Sequence, residues 1–179
     1  MRQTVFSRFA RAKQGLAALE FAILAPMMVF VLFASIDLLD MLDTNNRLEN
    51  AAVSLADVVA RDTEVTDAEV DGFWQALDVL MFPNNGAVVD MRISSVSIEA
   101  NGTARVIWSE GHGLAPRPGN STLTLSEMSA GLRTPGTSVI MSEAEMEYNG
   151  PLSFLLAGAV TLSHDAYRRS RLIDPIPRG

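Results

Sequence analysis

From Leu16 to Ile36 the chain runs for 21 residues with only Glu20 and Ser35 breaking the apolar pattern, and only Pro26 disturbing the backbone. As a helix this run spans roughly 31 Å, about the hydrocarbon thickness of a bilayer. A helix buried in a soluble core rarely lacks a polar face over such a length. A secretory signal core is shorter and ends at a small-residue cleavage site, whereas here Asp37, Asp40 and Asp43 follow directly. The pattern predicts a transmembrane helix over residues 16–37. Beyond Asp37 it becomes periodic: positions Met41, Asn45, Leu48, Ala52, Leu55 and Val59 alternate by four and three, one stripe down a helix. With no Gly or Pro between residues 27 and 62, the same helix is expected to continue over 38–62 and to cover a soluble domain with that stripe. Asp43/Arg47 and Asp57/Arg61 stand at i, i+4 on its other faces.

The rest reads as an α+β domain over 63–172. Thr66-Asp-Ala-Glu69 is a capping-box signature, and Val70, Phe73, Trp74, Leu77, Leu80 and Met81 then recur at helical spacing, so a second helix is predicted over 67–81. The Phe73/Trp74 pair is read as packing against the long helix rather than as a ligand platform. Residues 88–110 predict a hairpin around Asn101-Gly102. Its alternation slips between Ile93 and Val96, which leaves a bulge or two covered faces as the alternatives. Residues 111–136 read as loop, with helical turns at Ser126–Leu132. A third strand is predicted over Thr137–Tyr148, a short apolar segment over Leu152–Leu156, a fourth strand over Val160–Leu172, and a flexible tail over 173–179. The expected fold is thus one long N-terminal membrane-spanning helix, a second packed helix, and an antiparallel sheet of about four strands.

Charge sets direction. Arg2, Arg8, Arg11 and Lys13 precede the apolar run and three aspartates follow it, so the positive-inside rule places the N-terminus in the cytoplasm and the domain outside. Beyond Gly15 only ten of the 14 basic residues remain against all 21 acidic ones, which argues against nucleic acid as a partner. Asp37, Asp40 and Asp43 are read as markers of the water boundary rather than as a metal site. Glu143, Glu145 and Glu147 share one face by the strand period of two and are read as a solvated face rather than a calcium or general-acid site. Without cysteine there is no disulfide, thiolate zinc site or cysteine nucleophile. His112 and His164 fit no zinc spacing, and no nucleophile elbow, P-loop or dinucleotide fingerprint occurs. No cofactor and no enzymatic activity are expected.

Glu20 is the outlier, because an ionisable group within the hydrocarbon costs several kcal/mol and is by default functional. One reading is snorkelling to the headgroups. The other is a cationic partner in a helix bundle, such as the terminal amine that a cut after Gly15 would create. Pro26 lacks a donor N–H and crowds the carbonyl of Ala22, so a bend is expected there.

Gly15-Leu-Ala-Ala-Leu-Glu20-Phe21, behind a basic leader, resembles the class III signal of type IV pilin-like proteins. The longer run ALEFAILAP, with Pro26, resembles the TadE-like (TadE/TadF) pseudopilins of the Tad/Flp tight-adherence pilus system. The blocks RISSVSIEANGTARVIWS, LRTPGTSVIMSEAEMEYNGPL and VTLSHDAYRRSR are similar to strand–turn–strand blocks of the same family. Phe21 departs from the tyrosine usual in major Flp pilins. The resemblance implies a 1–15 leader removed by a prepilin peptidase between Gly15 and Leu16, and an assembly role for Glu20, Phe21 and Pro26. It also implies a single-pass bacterial inner-membrane protein with a periplasmic domain and a pilin-like spine. The partners implied are the lipid bilayer, other pseudopilins, Flp pilin and Tad inner-membrane platform proteins. Glu20 would then pair with a neighbouring subunit's terminal amine. The alternative is an uncleaved, signal-anchored periplasmic binding or adaptor module.

Overall fold

Two kinds of periodicity along one chain produce two halves of one helix in the computed structural model, which describes residues 13–84, 86–124, 128–151 and 158–179. Helix α1 (Lys13–Val59) continues through Pro26 as a single element. From Ala17 to Ile36 nearly every residue is exposed, whereas from Thr44 onward one stripe is buried: Leu48, Ala51, Ala52, Leu55, Ala56 and Val59. The first half projects from the domain and the second half is its spine.

The capping box forms as predicted at the start of α2 (Asp67–Met81). The Glu69 N–H donates to Thr66 Oγ1 at 3.4 Å and the Thr66 N–H to Glu69 Oε2 at 2.7 Å, satisfying two otherwise orphaned donors. Val70, Phe73, Leu77 and Met81 point into the core shared with α1. The segment that follows is tied to α1, with Asn84 Nδ2 donating to Thr44 Oγ1 at 2.9 Å and Arg47 donating to the Phe82 carbonyl.

The sheet has five antiparallel strands in the order β3-β2-β1-β4-β5: β1 (Val89–Ile98), β2 (Ala104–His112), β3 (Thr122–Leu123), β4 (Ser138–Tyr148) and β5 (Val160–Arg169). The fifth strand, beyond the four or so expected, is the two-residue β3 inside the stretch read as loop. The turn signal at Asn101-Gly102 closes β1–β2: Gly102 takes φ +80°, and Asn101 Oδ1 accepts from the Thr103 N–H at 2.8 Å.

Both alternatives for the slip between Ile93 and Val96 are realised. The β1–β2 register shifts between Ser95 and Val96, with Trp108 opposite Ser95 and Val106 opposite Val96, so Ile107 is the extra residue of a bulge. Both faces are also covered. Val89, Met91 and Ile93 pack beneath α1 and α2, while Val96 and Ile98 join Val139 and Met141 on the reverse face, closed by Met128, Leu123 and Leu132 from the crossover between β2 and β4. The small residues Ala51, Ala52 and Ala56 of α1 and Ser142, Ala144 and Ala166 of β4 and β5 are all buried where α1 packs on those two strands.

Two expectations need correction. The C-terminal residues do not form a free tail. Ile176 is fully buried, its carbonyl accepts from Trp108 Nε1 at 2.8 Å, and Arg178 binds both Glu110 and Asp67. Burying one large aliphatic side chain and satisfying the indole N–H outweighs the entropy of ordering a proline-containing end. Nor is the face of β4 uniformly solvated: Glu145 and Glu147 are exposed, but Glu143 is buried. Helical turns expected at Ser126–Leu132 reduce, among the described residues, to one 3₁₀ turn at Ala130–Leu132. The apolar segment Leu152–Leu156 and most of the 1–15 leader lie outside the described residues.

Candidate functional site

The candidate site is the exposed half of α1 together with the contact that fixes its direction. Gly15 and Leu16 lie in the first described turns of α1, so the bond between them is in helical backbone. Glu20 is exposed one turn further on, and among the described residues no ion pair reaches it. Phe21 is 69% exposed and Pro26 is exposed on the same projecting helix. These residues share one rod, and among the described residues Glu20, Phe21 and Pro26 are exposed on it. Such a surface can do two things chemically: sit in lipid, or pack against another apolar helix that brings a cation to Glu20. The described part of α1 is long and apolar enough to cross a membrane.

The rod is held at a fixed angle by a lock at its base. Tyr148, the last residue of β4, aims its hydroxyl between the Asp37 and Asp40 carboxylates, at 3.0 Å from Asp37 Oδ1 and 2.9 Å from Asp40 Oδ2. Asp37 and Asp40 stand at i, i+3 and share a helix face, which lets one phenol serve both. Burial, reinforced by the two neighbouring carboxylates, pushes the Tyr148 phenol above its ordinary value, so it remains a donor throughout the physiological range. Gly150 completes the lock, because a Cβ there would collide with the Asp37 carboxylate. Asp37 is only 6% exposed. Of the three aspartates read as water markers only Asp37 is buried; Asp40 stays exposed beside the Tyr148 hydroxyl, and Asp43 pairs with Arg47 on the surface. Among the described residues no cluster suited to a metal ion occurs.

Tyr148→Phe is expected to cost about 1.5–3 kcal/mol, the usual range for a hydrogen bond to a charged group. The urea midpoint of the detergent-solubilised protein measures it. An unchanged midpoint would mean that the hydroxyl contributes nothing to the docking of the sheet on α1.

On the opposite face of the sheet, Glu143 accepts bidentate bonds from Arg92 (Nε 2.7 Å, Nη2 2.7 Å) and further bonds from Arg117 (Nε 3.1 Å, Nη2 2.5 Å). Arg92 also donates to the Ala115 carbonyl, so the cluster fastens the β2–β4 crossover to the sheet. Burial pushes the Glu143 carboxyl up, but the two guanidinium groups outweigh it and hold it below its ordinary value. The remaining candidates are structural. Phe73 is in the core, Trp74 stacks on His112 with ring centroids 5.5 Å apart, and His164 Nε2 lies 2.9 Å from Asn45 Oδ1. The sequence pattern missed Tyr148, Gly150, Arg92 and Arg117. A tyrosine closing a strand before Asn-Gly-Pro, with two acids at i, i+3 far upstream, was the available signal for the lock. Nothing in local spacing links Glu143 to its two partners, Arg92 and Arg117.

Residues 15–56 match the family model described as TadE-like protein. No significant match joins the chain to a curated protein or to a solved structure.

Proposed function

With TadE-like residues 15–56 as the premise, we propose that the chain is a membrane-anchored structural subunit for assembly of a Tad/Flp-type pilus, a pseudopilin or minor pilin processed by a prepilin peptidase after Gly15. The observation that carries this reading is the carboxylate of Glu20, which has no ion-pair partner among the described residues, on an exposed apolar helix and fifth after that glycine. A carboxylate within the membrane calls for a cation. Among the described residues the domain brings none to it, whereas cleavage converts Leu16 into a terminal amine on every subunit. When helices pack side by side, Glu20 of one subunit takes up the amine of its neighbour, while Phe21 and Pro26 shape the contact. The basic leader remains in the cytoplasm, and the acidic domain meets other pseudopilins, Flp pilin or the inner-membrane platform on the periplasmic side. The role is structural, with no catalytic step and no cofactor.

The terminal mass of the protein purified from membranes tests processing. Loss of residues 1–15, abolished by Gly15→Ala, is the expected result; an intact Met1 terminus overturns the reading and leaves an anchored adaptor. Glu20→Ala should be cleaved normally yet lose about 3 kcal/mol of subunit association, roughly a hundredfold in affinity. Undiminished co-purification of partner subunits would count against the role of Glu20.

A further inference from the structure

Strand β5 runs beside α1 in the same direction. His164 meets Asn45 at 2.9 Å and Arg171, just past the strand, reaches Asp57 at 2.6 Å, so Val160 marks the membrane-proximal end of the sheet and Arg169 the distal end. Charge is sorted along that axis. On the sheet face turned away from α1, Asp90 stands opposite Glu145, Glu145 opposite Ser163, and Glu147 opposite Thr161, and all of these are exposed. Among the described residues Asp90, Glu145 and Glu147 have no ion-pair partner, and the nearby guanidinium groups of Arg92 and Arg117 are taken up by Glu143. At the distal end the sign reverses. Among the described residues Arg168 and Arg169 donate only to neutral oxygens, the Tyr167 and Gly131 carbonyls and Thr134 Oγ1. Arg133 is exposed between those last two acceptors in the chain. Asp174 lies at the same end, its carboxylate accepting from the Ser138 N–H.

We infer that copies of this chain stack through these two ends, the acidic membrane-proximal sheet face of one copy against the arginine-bearing distal end of the next. The inference rests on the pilin-like reading above, and it gives the subunit a place within a fibre. The bare sheet face calls for a cation, and this chain carries one at a fixed place; opposite potentials of this kind set the register of a contact and suppress wrong ones. Anionic lipid has the wrong sign to cover the face. Copies anchored in one membrane all point the same way, so copies at one level bring acid beside acid and arginine beside arginine. The opposite ends meet only when one copy is displaced along the spine. Ser163 and Arg169 are six strand residues apart, roughly 20 Å, against a hydrocarbon thickness of about 30 Å. A copy shifted so far has risen out of its neighbour's level in the bilayer, as a subunit does on entering a fibre. Screening acts over about 8 Å at physiological salt, so the two ends act on separate neighbours and do not cancel. The contact is head-to-tail and does not close on itself, so it propagates. A helical stack gives each copy several neighbours, and the shift of roughly 6 Å that brings Leu16 of one copy to Glu20 of another belongs to a different pair.

The chain contains no cysteine, so single replacements give clean cross-linking probes. Ser163→Cys lies beside the acidic face and Ala130→Cys beside the distal arginines, both at exposed positions, and neither alters a charge. The two full-length variants, differently tagged, would be co-produced in cells that carry the pilus assembly system and then oxidised. A disulfide joining Ser163→Cys of one copy to Ala130→Cys of the other is the expected result. Adding Glu145→Arg/Glu147→Arg to the first copy should cut its yield about tenfold, through the like charges brought together. Adding Arg168→Glu/Arg169→Glu to the second copy as well should restore it, which a merely structural effect of either change would not do. Each of four results overturns the inference: no link, a link that ignores charge reversal, a link from Ser163→Cys to a different protein, or Ser163→Cys joined to itself in copies lying level. Terminal mass of the same chains keeps the two readings apart. Loss of residues 1–15 without the Ser163–Ala130 link leaves the pilin-like assignment standing and removes the stack, whereas an intact Met1 terminus removes the assignment.

Discussion

Glu143→Gln is expected to destabilise the fold by about 3–5 kcal/mol, the cost of removing one member of a buried ion pair. The side chains of Arg92 and Glu143 are 17% and 11% exposed, so water can do little for a guanidinium left behind. Arg117 is more open, at 26%, and can turn outward. The double variant Arg92→Met/Glu143→Met should therefore lie closer to wild type than Glu143→Gln alone, because no uncompensated charge remains. Urea unfolding of the detergent-solubilised chain measures both, and a Glu143→Gln midpoint equal to wild type would contradict the electrostatic account. The pH dependence has a fixed sign. Because Glu143 is depressed in the fold, protons bind the unfolded state more tightly. Its contribution is complete above the ordinary carboxylate value of 4.5 and is lost as pH falls through the lower folded value. Glu143→Gln should flatten stability against pH within that acidic window and leave the neutral range parallel to wild type.

Ile176→Ala should cost about 2–5 kcal/mol, the range for truncating a fully buried aliphatic side chain, and lower Tm by roughly 4–20 °C for a chain of this size. Ending the chain after Ile173 should cost more. That truncation also removes the carbonyl that receives the Trp108 N–H, and an unsatisfied buried donor adds about 1–3 kcal/mol. The emission of Trp108 should shift to the red in the truncated protein as water reaches the indole. If the last residues were a loose tail, neither change would move Tm or emission, and that result would refute the docked arrangement.

Elements whose information is local were legible in the chain. The capping box of Thr66 and Glu69 fixed the start of α2 because its donor and acceptor lie within one turn. Asn101-Gly102 announced its hairpin because only a few residues tolerate the left-handed conformation required there. The unbroken apolar run to Ile36 and the stripe that follows it distinguished the projecting half of α1 from the packed half. The basic leader, Gly15 and Glu20 were equally visible, since their meaning lies in order and spacing along one segment. The slip between Ile93 and Val96 marked the place where a strand changes covered faces, although it could not say which strand carries the extra residue.

What the chain could not disclose depends on partners distant in sequence. Glu143, Glu145 and Glu147 are alike by period, yet only Glu143 lies under a crossover that brings Arg117 to it and beside a strand that brings Arg92. The three aspartates after the apolar run are alike by spacing, yet Tyr148, 111 residues from Asp37, bonds Asp37 and Asp40, and only Asp37 is buried. Ile176 belongs to an end rich in proline that by composition should be loose, and it is buried because a complementary space lies beneath it. Sequence determined the helix, its membrane-length character and the local turns, whose energies are set within a few residues. Tertiary structure alone decided which charges are exposed, because desolvation and ion pairing depend on whatever the fold brings alongside.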